Sequence, residues 1–168
     1  AINISLDPEQ AFGTGSHPTT AMCLDWIATK LEAGSTVIDY GCGSGILAIA
    51  AAKLGAVKVY GVDIDPISLE VTNTNAIKNN IPAEKILTYL PEDMPSVKVD
   101  VVIANILANP LIELAPTLAA LLKSGGKLVL SGILAEQASK VQDHYAQWFE
   151  NFEIQQQAEW IRISANLT

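Results

Sequence analysis

The chain has 168 residues, a length that suits one domain, and its 49% hydrophobic and 17% charged residues describe a globular rather than a disordered chain. A formal charge of −8 argues against a broad electrostatic grip on nucleic-acid phosphates. No apolar run is long enough for a bilayer, and the first residues lack the basic cluster and apolar core of a signal peptide, so neither a membrane partner nor a leader is expected.

Residues 1–11 carry no helical or strand period and are read as a linker remnant, which leaves 12–168 as the domain. Phe12-Gly13-Thr14-Gly15-Ser16-His17-Pro18-Thr19-Thr20 is a dense loop of small and hydroxyl residues, costly to order without a reason. It is read as a lid that runs into a helix with Pro18 near its first position. That helix has Cys23, Ile27 and Leu31 on one face and is expected to stop at Gly34.

Val37-Ile38-Asp39-Tyr40 then reads as a buried strand, broken by Gly41-Cys42-Gly43-Ser44-Gly45 and followed by a helical pattern from Ile46 to Leu54. A strand that passes through glycines into a helix brings backbone and free N–H groups close to a ligand. A second strand, Val57 to Val62, ends at Asp63, about the distance at which a nucleotide fold places its ribose-binding carboxylate. The glycines are spaced G-x-G-x-G rather than G-x-G-x-x-G, which disfavours a nicotinamide-dependent dehydrogenase. The two cysteines, Cys23 and Cys42, form no C-x-x-C pair and are read as reduced thiols of a cytosolic protein. With two His and no His/Cys cluster, no metal site is expected.

Asp65-Pro66 supplies a cap and first-turn proline for a helix from Ile67 to Asn79. Strands are expected at Ile86–Tyr89, Val99–Ala104 and Lys127–Ser131. Pro110 is expected to open a helix that Ser124-Gly125-Gly126 ends. A last helix from Glu136 to Trp148 precedes two short strands, Phe152–Gln156 and Glu159–Ile163, read as an antiparallel edge hairpin. Strands alternating with helices imply a mostly parallel sheet covered on both faces.

Asn105-Ile106-Leu107-Ala108-Asn109-Pro110 follows the fourth strand directly. In an open α/β sheet ligands sit beyond the carboxyl ends of strands, so Asn105 is expected to face the same crevice as Gly41 and Asp63. Its side-chain oxygen and a nearby backbone carbonyl are both acceptors that could hold an amine by its hydrogens.

Together these segments resemble class I S-adenosylmethionine-dependent methyltransferases. The fuller set is Phe12 to Thr20, Gly41 to Leu47, Asp63-Ile64-Asp65-Pro66 and Asn105-Ile106-Leu107. It is similar to the ribosomal protein L11 methyltransferase (PrmA-like) family, from about Leu6 to the end of the chain. The resemblance implies a Rossmann-like α/β fold with a seven-stranded sheet in the order 3-2-1-4-5-7-6, strand seven antiparallel. It implies methylation of lysine and N-terminal amino groups on a large-subunit ribosomal protein, with S-adenosyl-L-methionine as cofactor.

Residue by residue, the resemblance implies cofactor contacts at Thr20, Gly41 and Asp63, and Asn105 beside the reacting centre as a cofactor-binding and catalytic residue. Thr14, Gly43 and Gly45 fall inside the same motifs. His17 is read as ordering its loop rather than acting as a base, and His144 as a solvated helix residue. Family members carry a separate N-terminal substrate-recognition domain, so the chain is expected to be an isolated catalytic domain, a cytoplasmic monomer with no direct nucleic-acid partner. The alternatives are a nucleic-acid amino-group methyltransferase, which would favour Asn-Pro-Pro-aromatic after the fourth strand, and a non-catalytic nucleoside-binding module.

Overall fold

The computed structural model describes residues 17–168. The expected linker, the leading part of the lid and Thr14 lie outside the described residues. Helix α1 (Pro18–Lys30) is followed by β1 (Thr36–Tyr40), α2 (Ile46–Lys53), β2 (Lys58–Val62), α3 (Pro66–Lys78), β3 (Ile86–Tyr89) and β4 (Val99–Asn105). Then come α4 (Ala108–Ala120), β5 (Leu122–Leu134), α5 (Ala138–Tyr145), β6 (Phe149–Gln157) and β7 (Trp160–Leu167).

The strands form one sheet in the order β3-β2-β1-β4-β5-β7-β6. β1 to β5 pair in parallel, and β7 is antiparallel to both β5 and β6. This is the order and the antiparallel strand that the resemblance implies. Neighbouring residues of one strand face opposite layers, so a strand covered on both sides must be apolar throughout. β1 shows this: Val37 packs with Ile27, Ile49 and Ile103 on one side, and Ile38 with Leu111, Leu118 and Tyr145 on the other. Each parallel crossover returns the chain, so all parallel strands end at one rim and the intervening helices begin there.

Several boundaries differ from the sequence reading. α1 ends at Lys30, short of Gly34, because Leu31 turns extended. α4 opens at Ala108 rather than Pro110, and the Leu107 carbonyl accepts the Leu111 N–H at 3.1 Å. Pro110 therefore sits third in the helix, where an N–H has no partner within the helix to lose. α4 also ends at Ala120, before Ser124-Gly125-Gly126, and the strand assigned to β5 begins at Leu122, opposite Val99. α5 is shorter than the pattern suggested, with a 3-10 turn over Ala135–Gln137 before it.

The closing strands are longer than expected and form the expected antiparallel hairpin at the edge of the sheet. β7 sits between β5 and β6, leaving β6 outermost. The reason is burial: Ile161, Ile163 and Ala165 of β7 are buried, whereas β6 keeps Phe149 inside and exposes most of its length.

Asp65 caps α3, its Oδ1 accepting the Ile67 N–H at 2.9 Å. Replacing an Asp cap removes one satisfied helix-end donor. Asp65→Ala is expected to cost about 1 kcal/mol, read as a lower midpoint in urea unfolding with an unchanged slope.

Candidate functional site at the carboxyl rim of the sheet

β1 stops at Tyr40 because the next residue turns across the end of β2. The backbone N–H groups of Gly41 and Cys42 both donate to the Val62 carbonyl, at 2.6 and 2.9 Å. Gly41 has φ +85°, and a Cβ there would stand 2.6 Å from Cγ2 of Ile106. The position therefore needs glycine twice, for its backbone angle and for the approach of the β4–α4 link.

Two residues on, the Gly43 N–H donates to Oδ2 of Asp63 at 3.0 Å, and the Asp65 N–H donates to Oδ1 at 3.0 Å. Each oxygen of that half-buried carboxylate thus has one protein donor, and a carboxylate has about four acceptor positions in all. The glycine loop is braced from α3: Thr72 Oγ1 donates to the Gly43 carbonyl at 3.1 Å, and Asn75 Nδ2 to the Ser44 carbonyl at 2.8 Å.

Asn105 is the last residue of β4. Its Nδ2 donates to Oγ1 of Thr20 at 3.4 Å, and Thr20 is buried in the first turn of α1. That bond commits the amide nitrogen and leaves Asn105 Oδ1 with no partner among the described residues. The following carbonyl, of Ile106, likewise accepts no backbone hydrogen bond among the described residues, while the Ile106 N–H donates to Ser131 at 3.1 Å. Two acceptors on consecutive residues at this rim therefore lack a hydrogen-bond donor among the described residues.

Comparison with known proteins identifies the family. The family model described as ribosomal protein L11 methyltransferase (PrmA) matches residues 1–168. The chain belongs to the ribosomal protein L11 methyltransferase family. It is 56% identical over 164 residues to the protein of that name from Cellvibrio japonicus, and 54% over 165 residues to that of Shewanella sp. strain W3-18-1. Each match covers 98% of the chain and 56% of the relative, so the chain spans about half the length of these relatives. A crystal structure of ribosomal protein L11 methylase from Lactobacillus delbrueckii subsp. bulgaricus superposes with a TM-score of 0.89 at 36% identity, over 98% of this chain and 85% of that one.

Within this member of the L11 methyltransferase family, the rim brings Thr20, Gly41, Gly43, Asp63 and Asn105 to the ends of the central strands and the start of α1. Gly45, the N-cap of α2, closes the same loop. His17 stands nearby but is occupied. It is the N-cap of α1, its Nδ1 accepting the Thr19 N–H at 3.2 Å, and its ring meets Trp160 edge-on at 5.3 Å. His144 is half-buried and lies against Trp148, less solvated than the sequence suggests. Burial pushes the Cys42 thiol far above its ordinary range, so it is no nucleophile near neutral pH. A polar depression of ≈ 310 Å³ lies at the opposite rim, where Lys123 pairs with Asp100 and Lys127 with Glu32. It contains none of the candidate site residues read from the sequence.

One residue of this site has no assigned role in the sequence reading. Asp39, on β1, is 1% exposed, and its Oδ2 accepts the Ala48 N–H at 3.1 Å. Burial pushes its carboxyl up to about 7, and the nearby Asp63 charge adds to the rise while the Ala48 N–H opposes it. The signal was available, an acid inside a β-branched run two residues before the first glycine. A carboxyl whose folded pKa lies above its unfolded value holds an extra proton in the native state between the two. Stability from this group is therefore full below about pH 4 and lost as pH rises through about 7. Asp39→Asn is expected to abolish that fall, worth up to about 4 kcal/mol by linkage. Urea unfolding at pH 5 and pH 8, wild type against variant, reads about 3 kcal/mol of it, because part of the fall lies below pH 5.

Proposed function

We propose that the chain is the catalytic domain of an S-adenosyl-L-methionine-dependent protein N-methyltransferase whose substrates are lysine and N-terminal amino groups of ribosomal protein L11. The observation that carries this reading is a pair of acceptors on consecutive residues, Asn105 Oδ1 and the Ile106 carbonyl, that have no hydrogen-bond partner among the described residues, beside the Ile106 side chain that packs on Gly41. Two acceptors side by side suit a neutral amine, which has hydrogens to donate and a lone pair to direct.

The residues present fit the cofactor. Asp63 retains acceptor capacity on both oxygens for a pair of ribose hydroxyls, while Gly41 and Gly43 present half-exposed backbone beside it. The cofactor supplies, when bound, a methyl group that is already electrophilic. What remains for the protein is positioning and desolvation. A lysine amine has a solution pKa of about 10.4 and is almost wholly protonated at neutral pH. Withdrawing it from water into the rim lowers that value. Asn105 and Ile106 then hold the neutral form, and the proton leaves to solvent.

Charge favours a cationic protein substrate over nucleic acid. The carboxyl rim carries Asp63 and Asp65 after β2, Glu92 and Asp93 after β3, and Glu136 after β5. The opposite rim carries most of the positive charge. Lys30, Lys53 and Lys78 close α1, α2 and α3; Lys58, Lys85 and Lys98 stand at the starts of β2, β3 and β4; and Lys123 and Lys127 lie early in β5. These are eight of the chain's 10 Lys and Arg residues. A lysine-bearing segment is drawn to the first rim, whereas a phosphate backbone is repelled from it.

Isothermal calorimetry with S-adenosylmethionine and a methyl-transfer assay on ribosomal protein L11 test the proposal. Asp63→Ala is expected to weaken cofactor binding about tenfold or more, since a charge-assisted contact contributes about 1.5–3 kcal/mol. Asn105→Ala is expected to keep cofactor affinity and lose turnover; unchanged turnover would remove its role. Binding with no transfer to any amine would leave a nucleoside-binding module. Transfer rates at limiting substrate are expected to fall as salt rises.

A further inference from the structure

The acceptor pair is shaped by a residue on a different strand. β5 runs beside β4 with Ser131 opposite Asn105, and its pairing with β7 slips between Leu130 and Ile133. That slip is a β-bulge, and it contains Gly132 at φ +86°. A Cβ on Gly132 would lie 2.2 Å from the Ile106 carbonyl oxygen, 2.7 Å from its carbonyl carbon and 3.1 Å from its nitrogen. All three are backbone atoms, which cannot swing aside as a side-chain tip can. Meanwhile the Ile106 N–H is tied to the Ser131 carbonyl at 3.1 Å, and Ser131 is itself anchored by its Oγ donating to the Ile161 carbonyl at 2.8 Å.

Ile106 is therefore clamped between two glycines with left-handed backbones. Its side chain rests on Gly41 of the cofactor loop, and its peptide rests on Gly132 of the β5 bulge. Glycine inside a strand marks a bulge or a close backbone approach, and here it marks both. We propose that Gly132 is a positioning residue for methyl transfer. By lacking a Cβ, it lets β5 press on the Ile106 peptide and so sets where the Ile106 carbonyl and the adjoining Asn105 amide stand toward the incoming amine. Gly132 acts through Ile106. This inference rests on the reading of Asn105 and Ile106 as amine acceptors.

The experiment compares wild type with Gly132→Ala, Gly132→Asn, Gly125→Ala and Asn105→Ala, measuring cofactor affinity by calorimetry and kcat and KM for methylation of ribosomal protein L11. Gly132→Asn is the second variant because Asn tolerates positive φ better than Ala and so separates backbone strain from the collision of the Cβ. Gly125 is the control: it lies on the same strand at φ +76°, with nothing within 4 Å of a Cβ.

Displacement of a catalytic group by about 1 Å can cost about a hundredfold in rate. Both Gly132 variants are expected to lose about tenfold or more in kcat, with KM and cofactor affinity changed less than about threefold. Gly125→Ala is expected to match wild type. Folded Gly132 variants with wild-type kcat would overturn the proposal, as would loss of cofactor affinity in step with kcat, or an equal loss in Gly125→Ala. If Asn105→Ala itself keeps full turnover, it is the amine-acceptor reading that fails; if it loses turnover while the Gly132 variants do not, the positioning role alone falls.

Discussion

Gly41 and Ile106 meet with no room for a side chain between them, and much of the site follows from that contact. β1 lies between β2 and β4, so the turn that leaves it has a neighbour on each side. On one side it hydrogen-bonds to the end of β2; on the other it leans on the link after β4. A bulkier turn would push the two neighbouring strand ends apart and separate Asp63 from Asn105. Close packing in protein interiors makes such a contact rigid, because displaced backbone has nowhere to go.

The same rim shows how polar groups are kept in place in a largely buried setting. Thr72, Asn75 and Thr20 are buried, and each is hydrogen-bonded to a loop or side chain of the site. Buried polar groups without partners are costly, so these contacts hold their loops in one arrangement. Asp39 is the exception in charge rather than in bonding. It is an acid beneath the glycine loop whose burial keeps it partly protonated near neutral pH. It makes the stability of this rim depend on pH in a way that surface carboxylates do not.

Two readings remain distinct in what supports them. Membership of the L11 methyltransferase family rests on the match along the whole chain and on the 0.89 superposition. The proposed amine chemistry rests on Asn105 and Ile106, and the choice of a protein amine is favoured by the gathering of most lysines at the rim opposite the site, where Glu32, Glu84 and Asp100 offset only part of their charge. That gathering has a structural partner in the helix dipoles, which favour cations at the carboxyl ends of α1, α2 and α3, where Lys30, Lys53 and Lys78 stand.

Much of the fold was legible in the chain itself. Uninterrupted apolar strands such as Val101 to Ala104 can only be covered on both faces, and Asp65-Pro66 announces a helix start by local chemistry alone. Gly41, Asp63 and Asn105 could be placed at one rim because parallel strands all end on the same side. What local pattern could not decide were contacts made between distant segments. The seat of β7 between β5 and β6 depends on which strand buries more apolar surface, not on either strand alone. The start of α4 at Ala108 was hidden because Pro110 is tolerated anywhere in a first turn. Gly132 reads in sequence as one more glycine near a strand end. Its meaning comes only from the Ile106 backbone, 26 positions earlier, being folded against it, because sequence encodes the absence of a side chain but not what occupies the space left behind.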